Sequence, residues 1–167
     1  MRVLLTGHKG YIGAVAAPMF RDAGHEVVGL DTDLYAGCDF GKLADGIPEV
    51  RKDLRNLAQS DLEGFDAVVH LAALSNDPLG NFDKSLTYDI NHKASVKLAE
   101  LAKKAGVKRF VFASSCSTYG AAGDDLLDET ASLNPVTAYG ESKVWVERDV
   151  SQLASDHFSP TFMRNAT

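Results

Sequence analysis

Tyr139 and Lys143 are the residues of this sequence best suited to moving a proton. Four positions apart, they share one face of a helix, so an ammonium stands near a phenol. A phenol with a pKa of about 10 is a poor base at neutral pH, and a neighbouring cation favours the phenolate. Ser114 and Ser115, which end an apolar run, supply hydroxyls able to bridge Tyr139 and a substrate oxygen. A tyrosine and a lysine at helical spacing also describe many solvated surface pairs. The pair carries weight here because of what precedes it.

At the opposite end of the chain lies the pattern of a phosphate cradle with a ribose hook. Residues 1–5 are a short, Val- and Leu-containing run of the kind found in a parallel strand buried on both faces, and it breaks into Thr6, Gly7, Gly10 and Gly13. Gly7 suits a tight turn, Gly10 lets backbone amides approach a pyrophosphate, and Gly13 permits close helix packing. The helix that follows, beginning at Tyr11 and Ile12, then directs its unpaired amides and its dipole at an anion. A second apolar strand, 26–30, ends on Asp31. That carboxylate can accept from ribose hydroxyls and would repel a 2′-phosphate, which predicts NAD over NADP, and the donors of Lys143 can reach the nicotinamide ribose. Glycines that merely end a strand and an aspartate that merely caps a turn are the plain alternative. Strand, glycines, helix and acid in register argue against it.

The 167 residues, 45% hydrophobic and 24% charged, suffice for one core. A net charge of −6 and no Lys/Arg-rich run exclude a nucleic-acid-binding surface as the expectation. No apolar stretch is long enough to cross a bilayer and the N-terminus has no signal-peptide architecture, so no membrane contact and a cytoplasmic setting are expected. Cys38 and Cys116 are too few and too isolated for a disulfide framework or a thiolate metal site, and no metal is expected.

Strands alternate with helical stretches as in a doubly wound α/β fold. Predicted helices cover 11–23, 82–105 and 138–154, and further strands lie at 48–51, 66–72 and 109–113, with a sixth starting at 161–163. Right-handed crossovers put a parallel Rossmann sheet in the order 3-2-1-4-5-6 with helices on both faces, and a ligand crevice between strands one and four. Asp53, after the third strand, is placed either to accept from an adenine amino group or to cap the next turn, with Leu54 offering backbone and an apolar face. Leu71, Ala72 and Ala73 follow the fourth strand with the small side chains that close passage of a cofactor needs. The preceding His70 reads as a satisfied core histidine. Pro18 conflicts with its helix, where it should cost a hydrogen bond and bend the axis.

Together these segments resemble the extended short-chain dehydrogenases/reductases, specifically the NAD-dependent epimerase/dehydratase group acting on nucleotide sugars. The matching stretches run through the whole chain: 6–13, Asp31, 53–55, 70–73, Asn91, 114–120, and Tyr139 with Lys143. The resemblance implies that Tyr139 is the catalytic base, Lys143 its electrostatic partner and cofactor ligand, and Ser115 the hydroxyl completing the triad. It implies that Asn91 is a structural asparagine near the cofactor. It also implies oxidation of a sugar hydroxyl to a keto sugar, which can be reduced from the other face. Dehydratases of the group that act on the 4,6 positions generally follow the triad hydroxyl with acidic residues; here Cys116 and Ser117 follow Ser115, which favours an epimerase or simple oxidoreductase. A reductase of non-sugar ketones and a non-catalytic NAD-binding module are the alternatives. The sugar-nucleotide pocket of the group comes largely from a C-terminal portion. Residues 1–167 are therefore expected to be the NAD-binding Rossmann domain with the Tyr/Lys pair, as a truncated half without the substrate domain, in which Asn165 or the position of Thr167 corresponds to a sugar-diphosphate contact. A homodimer through the long helix and the Tyr139 helix is expected by the same likeness, although an apolar stripe facing the chain's own sheet would look identical.

Overall fold

The computed structural model describes residues 1–38, 46–75, 83–121 and 126–166. Six parallel strands, β1 (Arg2–Thr6), β2 (Glu26–Asp31), β3 (Glu49–Arg51), β4 (Ala67–His70), β5 (Arg109–Ser115) and β6 (Ser159–Asn165), form one sheet in the order β3-β2-β1-β4-β5-β6. The order is the one expected for a Rossmann sheet. Alternation across β1 explains its apolar run: Leu4 enters one core while Val3 and Leu5 enter the other. The edge strand β3 is exposed at all three residues, which leaves Glu49 and Arg51 available to charged neighbours.

Helix α1 (Tyr11–Asp22) covers one face, burying Ala17 against Val3, Leu5, Val27 and Val69. It runs through Pro18 without interruption, so the proline does not end the helix as a strict breaker would. The opposite face is larger. There α3 (Ala94–Lys104) buries Leu98, Ala99 and Ala102, and α4 (Ala138–Ser151) buries Val146 and Val150, around Phe110 and Phe112 of β5. The apolar stripe of the long helix is thus used against its own sheet.

The predicted continuous helix over 82–105 is corrected in one respect. Its start, like the middle of the predicted loop at 31–46, lies outside the described residues. From α2 (Lys84–Thr87) the chain passes through a π-helical segment, Tyr88–Lys93, before continuing as α3. One extra residue per turn shifts the facing set, and the segment presents Asn91 inward, 1% exposed. Among the described residues no helix is long and apolar enough to cross a membrane.

Candidate active site

The crevice opens where β1 and β4 end. Gly7 has φ +73°, and a Cβ there would stand 2.7 Å from the Ala72 amide nitrogen, so only glycine lets the two loops touch. At Gly13 a Cβ would stand 2.1 Å from the Gly7 carbonyl oxygen. Gly10 caps α1 without any side-chain acceptor, leaving the first-turn amides for an outside anion. Tyr11 and Ile12, in that first turn, are exposed. Asp31, ending β2, is held by two amides: Oδ2 accepts from Lys9 N at 3.1 Å and Oδ1 from Asp33 N at 3.0 Å. Cradle and acid fit a dinucleotide.

Beside the cradle, the structure distinguishes residues that line the crevice from residues that brace it. The Leu71 amide donates to the Thr6 carbonyl at 3.1 Å, aligning 71–73 beside the glycine turn. Asn91 stands one layer back: its Oδ1 accepts from Leu74 N at 2.8 Å and its Nδ2 donates to the Leu74 carbonyl at 2.9 Å, which pins the loop after β4. Asp53 caps the turn Leu54–Asn56, accepting from Arg55 N at 2.9 Å, and the Arg55 guanidinium bonds both its oxygens and holds its pKa down. Of the two roles open to Asp53, capping is the one its bonds display. The Leu54 side chain is in the core with Leu57 and Leu62.

His70 is a brace as well. Thr6 Oγ1 lies 2.6 Å from its Nδ1 and also accepts from Ala72 N at 3.4 Å. On the other side of the ring, Nε2 is hydrogen-bonded with Ser95 Oγ at 2.7 Å. Burial, with a smaller contribution from the Lys143 charge, lowers its pKa to about 3. It is a neutral strut joining β1, β4 and α3.

At the β5 end the catalytic candidates converge. Thr137 caps α4, its Oγ1 accepting from Gly140 N at 3.1 Å. Gly140 lets that first turn, with Tyr139, approach the short turn Cys116–Tyr119: a Cβ would stand 3.0 Å from the Ser117 carbonyl oxygen. Lys143, one turn on, is 2% exposed and donates from Nζ to the Ala113 carbonyl at 2.6 Å. The same ammonium stands 4.4 Å from the Phe112 ring centroid and 5.3 Å from that of Tyr139. Burial pulls its pKa down to about 7, opposed in part by Glu147.

The two serines have different roles. Ser114 follows Phe110 and Phe112 on the face toward α4, and its Oγ donates to Glu147 Oε1 at 2.5 Å. Ser115 begins the next turn, accepting at Oγ from Ser117 N at 3.2 Å. Among the described residues, no further partner takes its own proton or its second lone pair.

Glu147 was not among the predicted site residues, nor was Arg164. Arg164, on β6, donates to Glu147 Oε2 from Nη2 at 2.8 Å and to the Tyr119 hydroxyl from Nη1 at 2.9 Å, and its pKa is pushed up by these partners, Glu147 first. The signal for Glu147 was available. It lies four residues beyond Lys143 and eight beyond Tyr139, on the same helical stripe.

Comparison with known proteins follows the same lines. The sequence matches the model of the NAD dependent epimerase/dehydratase family over residues 3–167. The chain belongs to this family. A UDP-glucose 4-epimerase of Streptomyces lividans is 32% identical over 160 residues, 93% of this chain and 48% of that protein. The solved UDP-glucose-4-epimerase of Stenotrophomonas maltophila, with bound NAD and formylated UDP-arabinopyranose, superposes with a TM-score of 0.87 at 31% identity, over 98% of this chain and 52% of that one. An NAD dependent NDP-hexosamine 5,6-dehydratase from tunicamycin biosynthesis gives a TM-score of 0.88 at 29% identity, over 98% and 54%. This epimerase/dehydratase family chain spans about half the length of the relatives it matches.

Proposed function

We propose that the chain is the NAD-binding, proton-transferring half of a nucleotide-sugar epimerase. The observation carrying this reading is Lys143: a cation buried to 2% exposure, lodged between the Ala113 carbonyl and the Phe112 and Tyr139 rings at a strand end. A fold gains nothing by desolvating an ammonium there unless its charge is used.

In this reading the amides of the turn at 7–13 and the first turn of α1 hold the pyrophosphate, Asp31 accepts from the adenosine ribose hydroxyls, and the loop at 71–73 lets the cofactor pass. Bound there, NAD supplies the hydride acceptor. Tyr139 removes the proton from a sugar hydroxyl as general base, Ser115 hydrogen-bonds the same oxygen, and the Lys143 charge stabilises the phenolate. The reverse transfer to the opposite face of the keto sugar completes an epimerisation. Cys116 and Ser117 after Ser115 provide no carboxylic acid to protonate a leaving hydroxyl, which supports epimerisation over 4,6-dehydration.

The test is turnover of UDP- and dTDP-hexoses with NAD by a protein extended beyond Thr167. Epimerised product supports the proposal, and no turnover opposes it. The 167-residue chain alone is expected to bind NAD and turn over little sugar; robust epimerisation by it would overturn the half-protein reading. A strong preference for NADPH would favour a ketone reductase instead.

A further inference from the structure

Around Asp31 the structure holds a charge cluster that the reading above does not use. Lys9 lies inside the glycine turn, and its Nζ is 3.0 Å from Asp33 Oδ2 and 2.9 Å from Glu49 Oε2. The backbone amides of Lys9 and Asp33 are the two donors to Asp31. The Lys9–Asp33 ion pair therefore joins the side chains of the same residues whose amides grip the ribose-binding acid. Asp33 reaches this place by a left-handed turn, φ +58°, directly after β2.

Glu49 is held from two sides. Besides Lys9, His8 Nε2 lies 3.2 Å from its Oε2. The His8 ring is 8% exposed and fills the space that a side chain at position 29 would take: a Cβ on Gly29 would fall 2.4 Å from the ring. The glycine turn is thereby locked to the edge strand β3, and Lys9 is aimed at Glu49. Arg51 adds a longer contact, Nη1 to Asp33 Oδ2 at 3.9 Å. The rim thus sets two basic side chains, Lys9 and Arg51, against three acidic ones, Asp31, Asp33 and Glu49.

We propose that Asp33 and Glu49 are specificity-determining residues for the cofactor, acting by holding the Lys9 ammonium so that it is not offered to a 2′-phosphate. A lysine within the phosphate-binding turn, beside the acid that receives the adenosine ribose, is a natural anchor for a phosphorylated ribose. Here both flanking carboxylates engage it, and they leave the rim with an excess of negative charge. A dinucleotide with a free 2′-hydroxyl meets the Asp31 carboxylate, while one bearing a 2′-phosphate meets acids and an occupied lysine. Neutralising Asp33 and Glu49 frees Lys9 and reverses the excess, leaving Lys9 and Arg51 against Asp31 alone. The proposal rests on Asp31 facing the adenosine ribose.

The experiment titrates NADH and NADPH into the chain by nucleotide fluorescence, with a thermal melt of each variant. Wild type should favour NADH. D33N/E49Q should move the affinity ratio about tenfold toward NADPH, the size expected when two partly exposed charge contacts are reversed, and the shift should shrink with added salt. Adding K9M to that pair should remove most of the shift. An unchanged ratio in D33N/E49Q overturns the proposal. So does a shift that persists undiminished in K9M/D33N/E49Q, since the effect would then come from lost acidic repulsion alone. Should the double variant melt early, E49Q decides with a smaller shift in the same direction, and its absence there overturns the proposal. Wild-type binding of neither nucleotide overturns both this proposal and the cofactor reading beneath it. Selective NADH binding without sugar turnover in the extended protein would count against the epimerase reading only.

Discussion

Lys9 and Lys143 sit at opposite ends of the same row of strand termini, and their acidities move in opposite directions. Lys9, at the β2–β3 edge, is partly in water, and its bonds to Glu49 and then Asp33 raise its pKa. Lys143, under β5, has Glu147 one helical turn away, yet burial dominates and pulls it down to about 7. The attraction of Glu147, which also bonds Ser114 and Arg164, offsets that desolvation only in part. The water-facing edge is suited to selecting among charged ligands by contacts that can be rearranged. The site under β5 keeps its lysine out of water, where its charge, in the proposed reaction, acts on Tyr139 without screening by solvent.

The largest test of this contrast is the pH dependence of stability. Lys143 binds its proton more weakly in the folded chain than in the unfolded one, so between about 7 and 10.5 the unfolded state carries the extra proton. Stability contributed by this site therefore rises with pH across that window, by up to about 1.4 kcal/mol per unit. Urea unfolding of wild type and Lys143→Met at successive pH values should show the difference between them changing in this way, with the variant the more stable at the low end. A constant difference would mean that Lys143 is not desolvated.

Next in size is Glu147→Ala, which leaves Arg164 and Ser114 without their shared partner. A loss of about 3 kcal/mol is expected from denaturant unfolding, because an unpaired charge remains partly buried. Glu147→Gln should lose less. His70→Ala comes third, at about 2 kcal/mol, since Thr6 and Ser95 each lose a buried hydrogen-bond partner. Smallest is Lys9→Ala: its ion pairs are near the surface, so its stability cost should stay below about 1 kcal/mol and vanish in high salt. A Lys9→Ala effect as large as that of Glu147→Ala would erase the distinction between the two ends.

Much of the fold could be read along the chain because its signals are local. The run before Gly7, the glycines, Asp31 and the four-residue step from Tyr139 to Lys143 each express one strand, one turn or one helical face. The strand order followed from handedness rules applied to those pieces. The π-helical segment around Asn91 was not visible, since its apolar residues suit an ordinary helix equally well; the wider turn accompanies a buried amide that meets Leu74, 17 residues away. The likeness to the family had singled out Ser115; that Ser114 is bonded to Glu147 became visible only with Phe110 and Phe112 facing α4, because strand alternation then sends Ser114 the same way.

By itself the sequence determined that a parallel sheet with a dinucleotide-type turn would form and that a phenol and an ammonium would share a helix face, because periodicity and glycine sterics act over a few residues. Only the tertiary structure decided how each charge is employed. Lys9 meets Glu49 across 40 positions and Arg164 meets Glu147 across 17, and the protonation of Lys143 depends on how completely β5 and α4 exclude water from it. Solvation and pairing at a distance belong to the packed molecule, and they turn the same residue type into a surface ion pair at one end of the sheet and a poised cation at the other.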